Sequence, residues 1–169
     1  MMFEAVVLVA CPVLFAAGAM TDLVSYKIPN WIPVALAALF ALAAVLSDMP
    51  LATVGWHALT CFGVLVFGMG LFAFGLVGGG DAKFFAAGAL WVGPFYLMKY
   101  GMVFALIGGA FAIALLMLRK APLPTVTARI PVLNQLLHPK AGMPYGVALG
   151  LGALIVLPST PLFVMALAA

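Results

Sequence analysis

The sequence predicts an all-α fold, a polytopic membrane bundle of about six transmembrane helices. Two observations predict it. Of the 169 residues, 67% are hydrophobic and only 7% are charged, whereas a soluble domain carries about 25% charged residues. The apolar residues also fall into runs of the length that a bilayer-crossing helix requires. We therefore expect a single transmembrane domain over residues 1–169, embedded in a lipid bilayer, with no separate soluble domain.

Six apolar segments can be marked along the chain, separated by breaks that are polar or rich in glycine and proline. They cover residues 3–21, 31–47, 56–77, 83–98, 100–118 and 143–166. The break at 94–101 is tight, so we expect the fourth segment to be short or tilted. Residues 119–142 form the only long connection. Apolar residues recur within it at helical spacing, which favours a short helix in the membrane interface, with an irregular loop as the alternative.

Basic residues indicate how the bundle is oriented. The first, third and fifth connections hold six of the seven lysines and arginines, and the opposite side holds only Lys99. The six are Lys27, Lys83, Arg119, Lys120, Arg129 and Lys140. Because lysine and arginine concentrate in cytoplasmic loops, we expect these connections in the cytoplasm and both termini outside. Asp22 and Asp81 then face the cytoplasm, and Glu4 and Asp48 lie on the other side.

Composition and spacing argue against several other kinds of site. The net charge of +3 is too small to indicate nucleic-acid binding. Cys11 and Cys61 fall inside apolar segments and form no CxxC pair, so neither a zinc site nor a disulfide framework is supported. His57 and His138 lie on opposite sides of the predicted bundle and cannot share a metal ion. We expect no metal and no cofactor.

Two aspartates stand at the ends of apolar segments. The run Gly78-Gly79-Gly80-Asp81 places one carboxylate after three glycines, and Asp22 ends the first apolar segment. A charged group at the bilayer centre costs about 3 kcal/mol or more, and the chain has only four acidic residues to place. As an alternative without function, Asp81 could simply cap the following helix and Asp22 could be an ordinary interfacial residue.

Two carboxylates at the same membrane depth are suited to peptide hydrolysis, which needs an activated water and a proton donor for the leaving amine. In a pair that shares one proton, the ionised member takes a proton from water and the protonated member polarises the scissile carbonyl. Packing of the first segment near the fourth would bring Asp22 and Asp81 together. The glycines at 78–80 could leave room for an extended substrate or expose backbone groups for strand-like pairing.

Three elements of the chain resemble the prepilin peptidases, a family of intramembrane aspartyl proteases. Gly78-Gly79-Gly80-Asp81 matches the GxGD signature of such proteases. Asp22 with the following Ile28-Pro29-Asn30 is similar to the family's first aspartate and the turn after it. Met143-Pro144-Tyr145-Gly146 is similar to its C-terminal Pro-(Phe/Tyr)-Gly element. The elements occur in the family's order and span essentially the whole chain.

The resemblance implies an endopeptidase of the bacterial inner membrane that removes the leader from type IV prepilin or pseudopilin precursors at the cytoplasmic face. It implies Asp22 and Asp81 as the catalytic pair. The chain lacks the N-terminal cytoplasmic insert with paired cysteines that longer members carry. It therefore resembles the short form that serves Flp (tight adherence) pili, of the TadV or CpaA type, and we expect no methyltransferase activity.

Other interpretations of the charged residues stay open. Lys27 and Lys83 follow the two aspartates by five and two residues. They either anchor the chain at the cytoplasmic surface, or attract an acidic residue near the precursor's cleavage site and tune the aspartates. The chain could also be a small proton-coupled transporter or a non-catalytic pilus-assembly subunit. A carrier would tend to place acids near the midplane and show two related halves, and the sequence shows no obvious internal repeat. It does not indicate the oligomeric state.

Overall fold

The computed structural model describes residues 1–120, 131–138 and 141–168, and these ranges are almost entirely helical, with no β-strand. Their helices are α1 Met2–Ser25, α2 Trp31–Leu46, α3 Leu51–Ala73, α4 Gly79–Lys120, α5 Pro131–Leu137, α6 Tyr145–Val156 and α7 Pro161–Ala168. The predicted all-α membrane bundle is confirmed. Arg129 and Lys140, which entered the orientation argument, lie outside the described residues.

Three of the described helices, α1, α3 and α4, are long and apolar enough to cross a membrane. The count becomes four if α6 and α7, which meet at a bend of 58°, are taken as one span. Helix α2 is apolar but has only 16 residues. The chain is therefore a multi-pass membrane protein, and the number of six crossings stays a prediction.

Helix α4 is a hairpin of two arms. Its backbone leaves the helical region at Gly93, with φ 70° and ψ 179°. The rings of Phe85 and Phe104 lie 5.7 Å apart, whereas a straight helix would separate these positions by about 28 Å. The arms 79–92 and 94–120 therefore fold back on each other. The break predicted at 94–101 is wrong in position: it is confined to Gly93, and the helix resumes at Pro94. The first arm, about 21 Å long, is short as expected.

His57 on α3 replaces a backbone hydrogen-bond donor that is missing at the break in α4. The Leu90 carbonyl would ordinarily accept a hydrogen bond from the residue four positions later, but that residue is Pro94, which has no N–H. The His57 Nδ1 atom lies 2.7 Å from the Leu90 carbonyl oxygen and occupies the place of the missing donor. The imidazole also stacks on Phe40, with ring centroids 5.2 Å apart. His57 therefore has a structural role inside the bundle.

Helices α1, α4 and α6 pack closely because small residues face one another. A Cβ added at Gly150 of α6 would lie 2.8 Å from the Phe15 carbonyl oxygen and 2.9 Å from Ala19 Cβ on α1. The Phe84 ring of α4 covers Gly18 of α1, where an added Cβ would lie 2.5 Å from it. Small residues let helix backbones approach in this way. The packing brings together the end of α1 and the beginnings of α4 and α6.

The short helix expected in the long connection is α5. Its Leu136 and Leu137 are buried in a second small core together with Leu115 of α4. Side chains from α1, α4 and the segment before α6 pack against this core: Leu23, Tyr26, Phe111 and Met143. The Arg119 guanidinium donates to the Leu136 carbonyl at 2.9 Å and to the Gly142 carbonyl at 3.0 Å. The apolar face of α5 therefore contacts the protein.

Candidate active site

Asp22 and Asp81 come together at one cleft. Asp22 lies in the last turn of α1 and Asp81 in the first turn of α4. Both line a cleft of about 540 Å³ formed mainly by residues 21–30 and 78–81, and they are close enough for their charges to interact. Asp22 is buried, with 4% of its surface exposed, and Asp81 is partly exposed. The fold thus joins two carboxyls that are far apart in the sequence.

The Asp22 carboxylate is held by the first turn of α6. The Gly146 N–H donates to Asp22 Oδ2 at 2.6 Å, whereas the Val147 N–H donates to the Pro144 carbonyl at 3.3 Å. The first N–H groups of a helix have no partner within it, and the partial positive charge there stabilises an anion. A Cβ added at Gly146 would lie 2.8 Å from Asp22 Oδ2. The Pro-Tyr-Gly element therefore positions Asp22, and its glycine makes the close approach possible.

The Asp81 carboxyl folds back on the start of its own helix. It lies beside Gly78, the residue just before α4. A Cβ added at Gly78 would lie 2.8 Å from Asp81 Oδ2. The capping role given above as an alternative stays a prediction. A carboxylate has two oxygens with about four acceptor positions, so a capping bond would leave Asp81 able to act in the cleft.

Ile28 links the two glycine elements. This buried residue lies 3.6 Å from the position of a Cβ at Gly80 and 2.7 Å from that of a Cβ at Gly146. The chain reaches it through Tyr26, which ends α1 in the left-handed region with φ 53° and ψ 30°. The three elements on which the family resemblance rests therefore meet around one side chain, at the mouth of the cleft.

The glycine run at 78–80 lines the cleft. A Cβ at Gly79 would lie 3.4 Å from the Phe72 ring, and one at Gly80 would lie 3.6 Å from Ile28. Both are ordinary van der Waals distances, so the packing at these two positions does not require glycine. Pairing of these glycines with a substrate stays a prediction.

The two lysines near the aspartates are placed differently. Lys27 is exposed and lines the cleft. Lys83 is also exposed, and its Nζ donates to Asn30 Oδ1 at 3.0 Å. Among the described residues, neither lysine forms an ion pair with Asp22 or Asp81. A role for either lysine in binding substrate or tuning the aspartates stays a prediction.

Asp81 also borders an apolar pocket of about 290 Å³. Helices long and apolar enough to cross a membrane supply much of its wall, among them Phe67 and Leu71 of α3 and Phe104 of α4. Leu149 of α6 lines it as well. No pattern in the sequence indicated this pocket, because its residues come from parts of the chain that only the fold brings together.

Tyr26 separates the cleft with the aspartates from a further cleft of about 660 Å³ beside α5. Its hydroxyl is buried and has no hydrogen-bond partner within the described part of the chain. Burial raises the pKa of Tyr26, although the charge of Arg119 opposes this effect. The hydroxyl therefore stays protonated near neutral pH and is available as a donor.

The segment from the first helix to the end of α4 identifies the family. The model of the type IV leader peptidase family matches residues 8–118, more than half of the chain, including Asp22 and Asp81. The chain belongs to the type IV leader peptidase family. The predicted kinship with the prepilin peptidases is thereby confirmed, and the chain is a peptidase. No curated protein and no solved structure matches it.

The candidate site of this leader peptidase extends beyond the matched segment. Gly146, which binds Asp22, follows residue 118, as does α5. Nowhere in residues 1–120, 131–138 and 141–168 do three or more histidine, cysteine or acidic side chains group to hold a metal ion. The chemistry that the described geometry offers is that of two carboxyls around one cleft.

Proposed function

We propose that the protein is an aspartic endopeptidase in which Asp22 and Asp81 together activate a water molecule to cleave the leader from a type IV prepilin or pseudopilin precursor. One observation carries the proposal: the two carboxyls line one cleft, and both belong to the segment that matches the leader peptidase family. Family membership supports the peptidase activity, and the shared cleft supports the aspartic mechanism. Water and two carboxyls suffice for it, so the mechanism uses no cofactor.

The hydrogen bond from α6 favours Asp22 as the member that carries the negative charge. The Gly146 N–H, at the positively polarised start of α6, donates to Asp22 Oδ2 at 2.6 Å. Such a bond stabilises the ionised carboxylate, and repulsion keeps two neighbouring carboxylates from ionising together. Asp22 then takes a proton from the attacking water. Protonated Asp81 polarises the scissile carbonyl, and the proton held by the pair passes to the leaving amine.

We further propose that the cleft opens to the cytoplasm of a bacterial inner membrane, with both termini outside. Lys27 and Lys83 flank the aspartates, and Arg119 lies beside Tyr26 at the same end of the bundle. Lys99, in the arm of α4 beyond Gly93, contacts Ser159 at the opposite end. The concentration of basic residues near the cleft supports this orientation.

The finer substrate assignment rests on the resemblance alone. We propose that the precursors are Flp-type prepilins, that the chain forms a single peptidase domain over residues 1–169, and that it has no methyltransferase activity. An assay that follows methylation of the new N-terminus alongside leader removal tests the last point. Transfer of a methyl group to the processed precursor would contradict it.

Co-expression with a candidate Flp-type precursor tests the proposed function, with the size shift of the precursor as readout. Asp22→Asn and Asp81→Asn are each expected to abolish the shift while the protein still inserts into the membrane. Asp48→Asn is the matched control, because Asp48 is exposed between α2 and α3 and its φ of 49° suits asparagine. Cleavage that survives a change at Asp22 or Asp81 would remove that aspartate from catalysis.

A further inference from the structure

Three cavities adjoin one another. The apolar pocket shares Asp81 with the cleft that holds both carboxyls. The cleft beside α5, which we call the α5 cleft, shares Tyr26 with it. The apolar pocket, the cleft with the aspartates and the α5 cleft therefore lie in series, and we call this series the path. Its two ends differ in chemistry, since one is apolar and the other is polar.

We infer that an extended precursor binds along this path in one direction. Residues of the leader, on the N-terminal side of the scissile bond, occupy the α5 cleft. The residue that follows the scissile bond, which the lining of the pocket predicts to be apolar, occupies the pocket lined by Phe67 and Phe104. The inference rests on the proposed function and adds to it the residues that recognise each side of the cut.

The apolar pocket suits the side chain that follows the scissile bond. Phe67 comes from α3 and Phe104 from the second arm of α4, and both helices are long and apolar enough to cross a bilayer. Because Asp81 forms part of the wall, a side chain in this pocket would lie next to the bond under attack. The volume of about 290 Å³ lies at the lower end of ligand pockets. It therefore accommodates one large apolar side chain.

The α5 cleft suits a polar, extended peptide. Asn134 and Gln135 are exposed on α5 and line it. Amide side chains both donate and accept hydrogen bonds, so they match the N–H and C=O groups that an extended backbone presents. Arg119 fixes the walls of the cleft through its bonds to the Leu136 and Gly142 carbonyls. The α5 helix is also outside the membrane-crossing candidates, as a binding site for a cytoplasmic leader requires.

Tyr26 lines both the cleft with the aspartates and the α5 cleft. A buried polar group ordinarily has a hydrogen-bond partner, yet the Tyr26 hydroxyl has none within the described residues. A substrate backbone that passes from the α5 cleft to the aspartates would supply the missing acceptor. The unpartnered hydroxyl therefore supports a path that is completed only when the precursor binds.

Site-specific crosslinking tests the direction of binding. The protein carries Asp22→Asn, so that the precursor stays uncleaved, and a benzoylphenylalanine replaces either Gln135 or Phe67. The probe is a full-length candidate Flp-type precursor in the same membranes, and mass spectrometry identifies the crosslinked segment. We expect position 135 to capture the leader and position 67 to capture the mature segment. Three results would overturn the inference: the reverse assignment, capture of one segment by both positions, or no crosslink at either position.

Cleavage kinetics supply a second test with a matched control. Phe67 and Phe62 lie on the same helix with 68% and 63% of their surfaces exposed, but of the two only Phe67 lines the pocket. Against a precursor with a large apolar residue after the cut, Phe67→Ala is expected to lower kcat/KM about tenfold, and Phe62→Ala is expected to leave it unchanged. Equal effects of the two changes would contradict the assignment of the pocket.

The leader side is tested in the same way. The double change Asn134→Ala and Gln135→Ala is expected to lower kcat/KM about fivefold for the full-length precursor and to have no effect on a precursor with a truncated leader. An equal loss with both precursors would overturn the assignment of the α5 cleft. Failure of the proposed function gives a different result. In that case the unmodified protein cleaves no precursor, or cleavage survives Asp22→Asn or Asp81→Asn. Either result would also overturn the inference.

Discussion

The backbone N–H of Gly146 donates to the Asp22 carboxylate at 2.6 Å and so joins the start of α6 to the end of α1. The two residues are 124 positions apart. Since a main-chain group holds the carboxyl, the orientation of Asp22 depends on where the α6 backbone lies. That position depends in turn on the absence of a Cβ at Gly146. A residue with no reactive group thereby determines the geometry of the candidate active site.

Replacing Gly146 tests this dependence. A Cβ at this position would lie 2.8 Å from Asp22 Oδ2 and 2.7 Å from Ile28 Cδ1, so Gly146→Ala must displace Asp22 or the start of α6. A displacement of about 1 Å at a catalytic group lowers the rate by about 100-fold. We expect a loss of that order in cleavage of the precursor, measured in membranes with equal amounts of inserted protein.

The matched control for Gly146 is Gly63, a helical glycine of α3 with no atom within 4 Å of its Cβ position. Gly63→Ala is expected to leave cleavage unchanged. If both alanine variants cleave at the rate of the unmodified protein, the hydrogen bond from Gly146 does not govern the position of Asp22.

Gly93→Ala is expected to destabilise the hairpin of α4. Gly93 has φ 70°, and an added Cβ would lie 2.6 Å from the His57 ring. Strained backbone of this kind costs about 1–3 kcal/mol, so the free energy of unfolding should fall by that amount and the Tm with it. Gly101 offers the comparison, because it lies in the second arm with nothing near its Cβ position. Gly101→Ala should keep or slightly raise the Tm, and equal Tm values for the two variants would contradict the prediction.

Hydropathy alone predicted the class of fold, because the apolar runs are long and almost free of charged residues. Hydropathy did not predict the residue at which α4 turns back. The prediction placed the break over residues 94–101, yet the helix continues through this range, and Lys99 Nζ donates to Ser159 Oγ at 2.8 Å. The actual turn at Gly93 needs His57 on another helix to bind the Leu90 carbonyl, and no local pattern reveals that partner.

The candidate aspartates were predictable because a carboxylate at the end of an apolar segment is rare and conspicuous. The group that holds Asp22 in place was not predictable, since the Gly146 N–H that binds it is a main-chain group of a distant helix. Lys83 illustrates the same limit. Its position two residues after Asp81 indicated a role near the aspartates, whereas its Nζ contacts Asn30 in the structure. The spacing of residues along the sequence does not reveal which distant residues their side chains contact.

Lys27 is expected to contribute to precursor binding through its charge. It is exposed at the cleft, where a single charge pair with substrate is worth about 0.2–1 kcal/mol. Lys27→Gln should therefore lower kcat/KM about two- to fivefold for a precursor with an acidic residue near the cut. The loss should shrink at high salt because exposed charges are screened. Lys83→Gln should have a smaller effect, since Asn30 already binds the Lys83 amine.

Two comparisons separate this charge effect from a general loss of activity. A precursor whose acidic residue is neutralised should be cleaved equally by the unmodified protein and by the Lys27→Gln variant. Lys99→Gln changes a lysine at the opposite end of the bundle and should have no effect on either precursor. The hypothesis is wrong if Lys27→Gln and Lys83→Gln both leave the rate and the pH dependence of cleavage unchanged.

Arg119→Ala is expected to loosen α5. The guanidinium donates to the Leu136 and Gly142 carbonyls at 2.9 and 3.0 Å, and hydrogen bonds to a charged group contribute about 1.5–3 kcal/mol each when well formed. Amide hydrogens of residues 132–137 should exchange at least about tenfold faster in the variant, as hydrogen-exchange mass spectrometry of the protein in detergent would detect. Lys120→Ala, which changes the exposed neighbour, should leave exchange unchanged. Unaltered exchange in both variants would mean that the buried contacts of Leu136 and Leu137 hold α5 without Arg119.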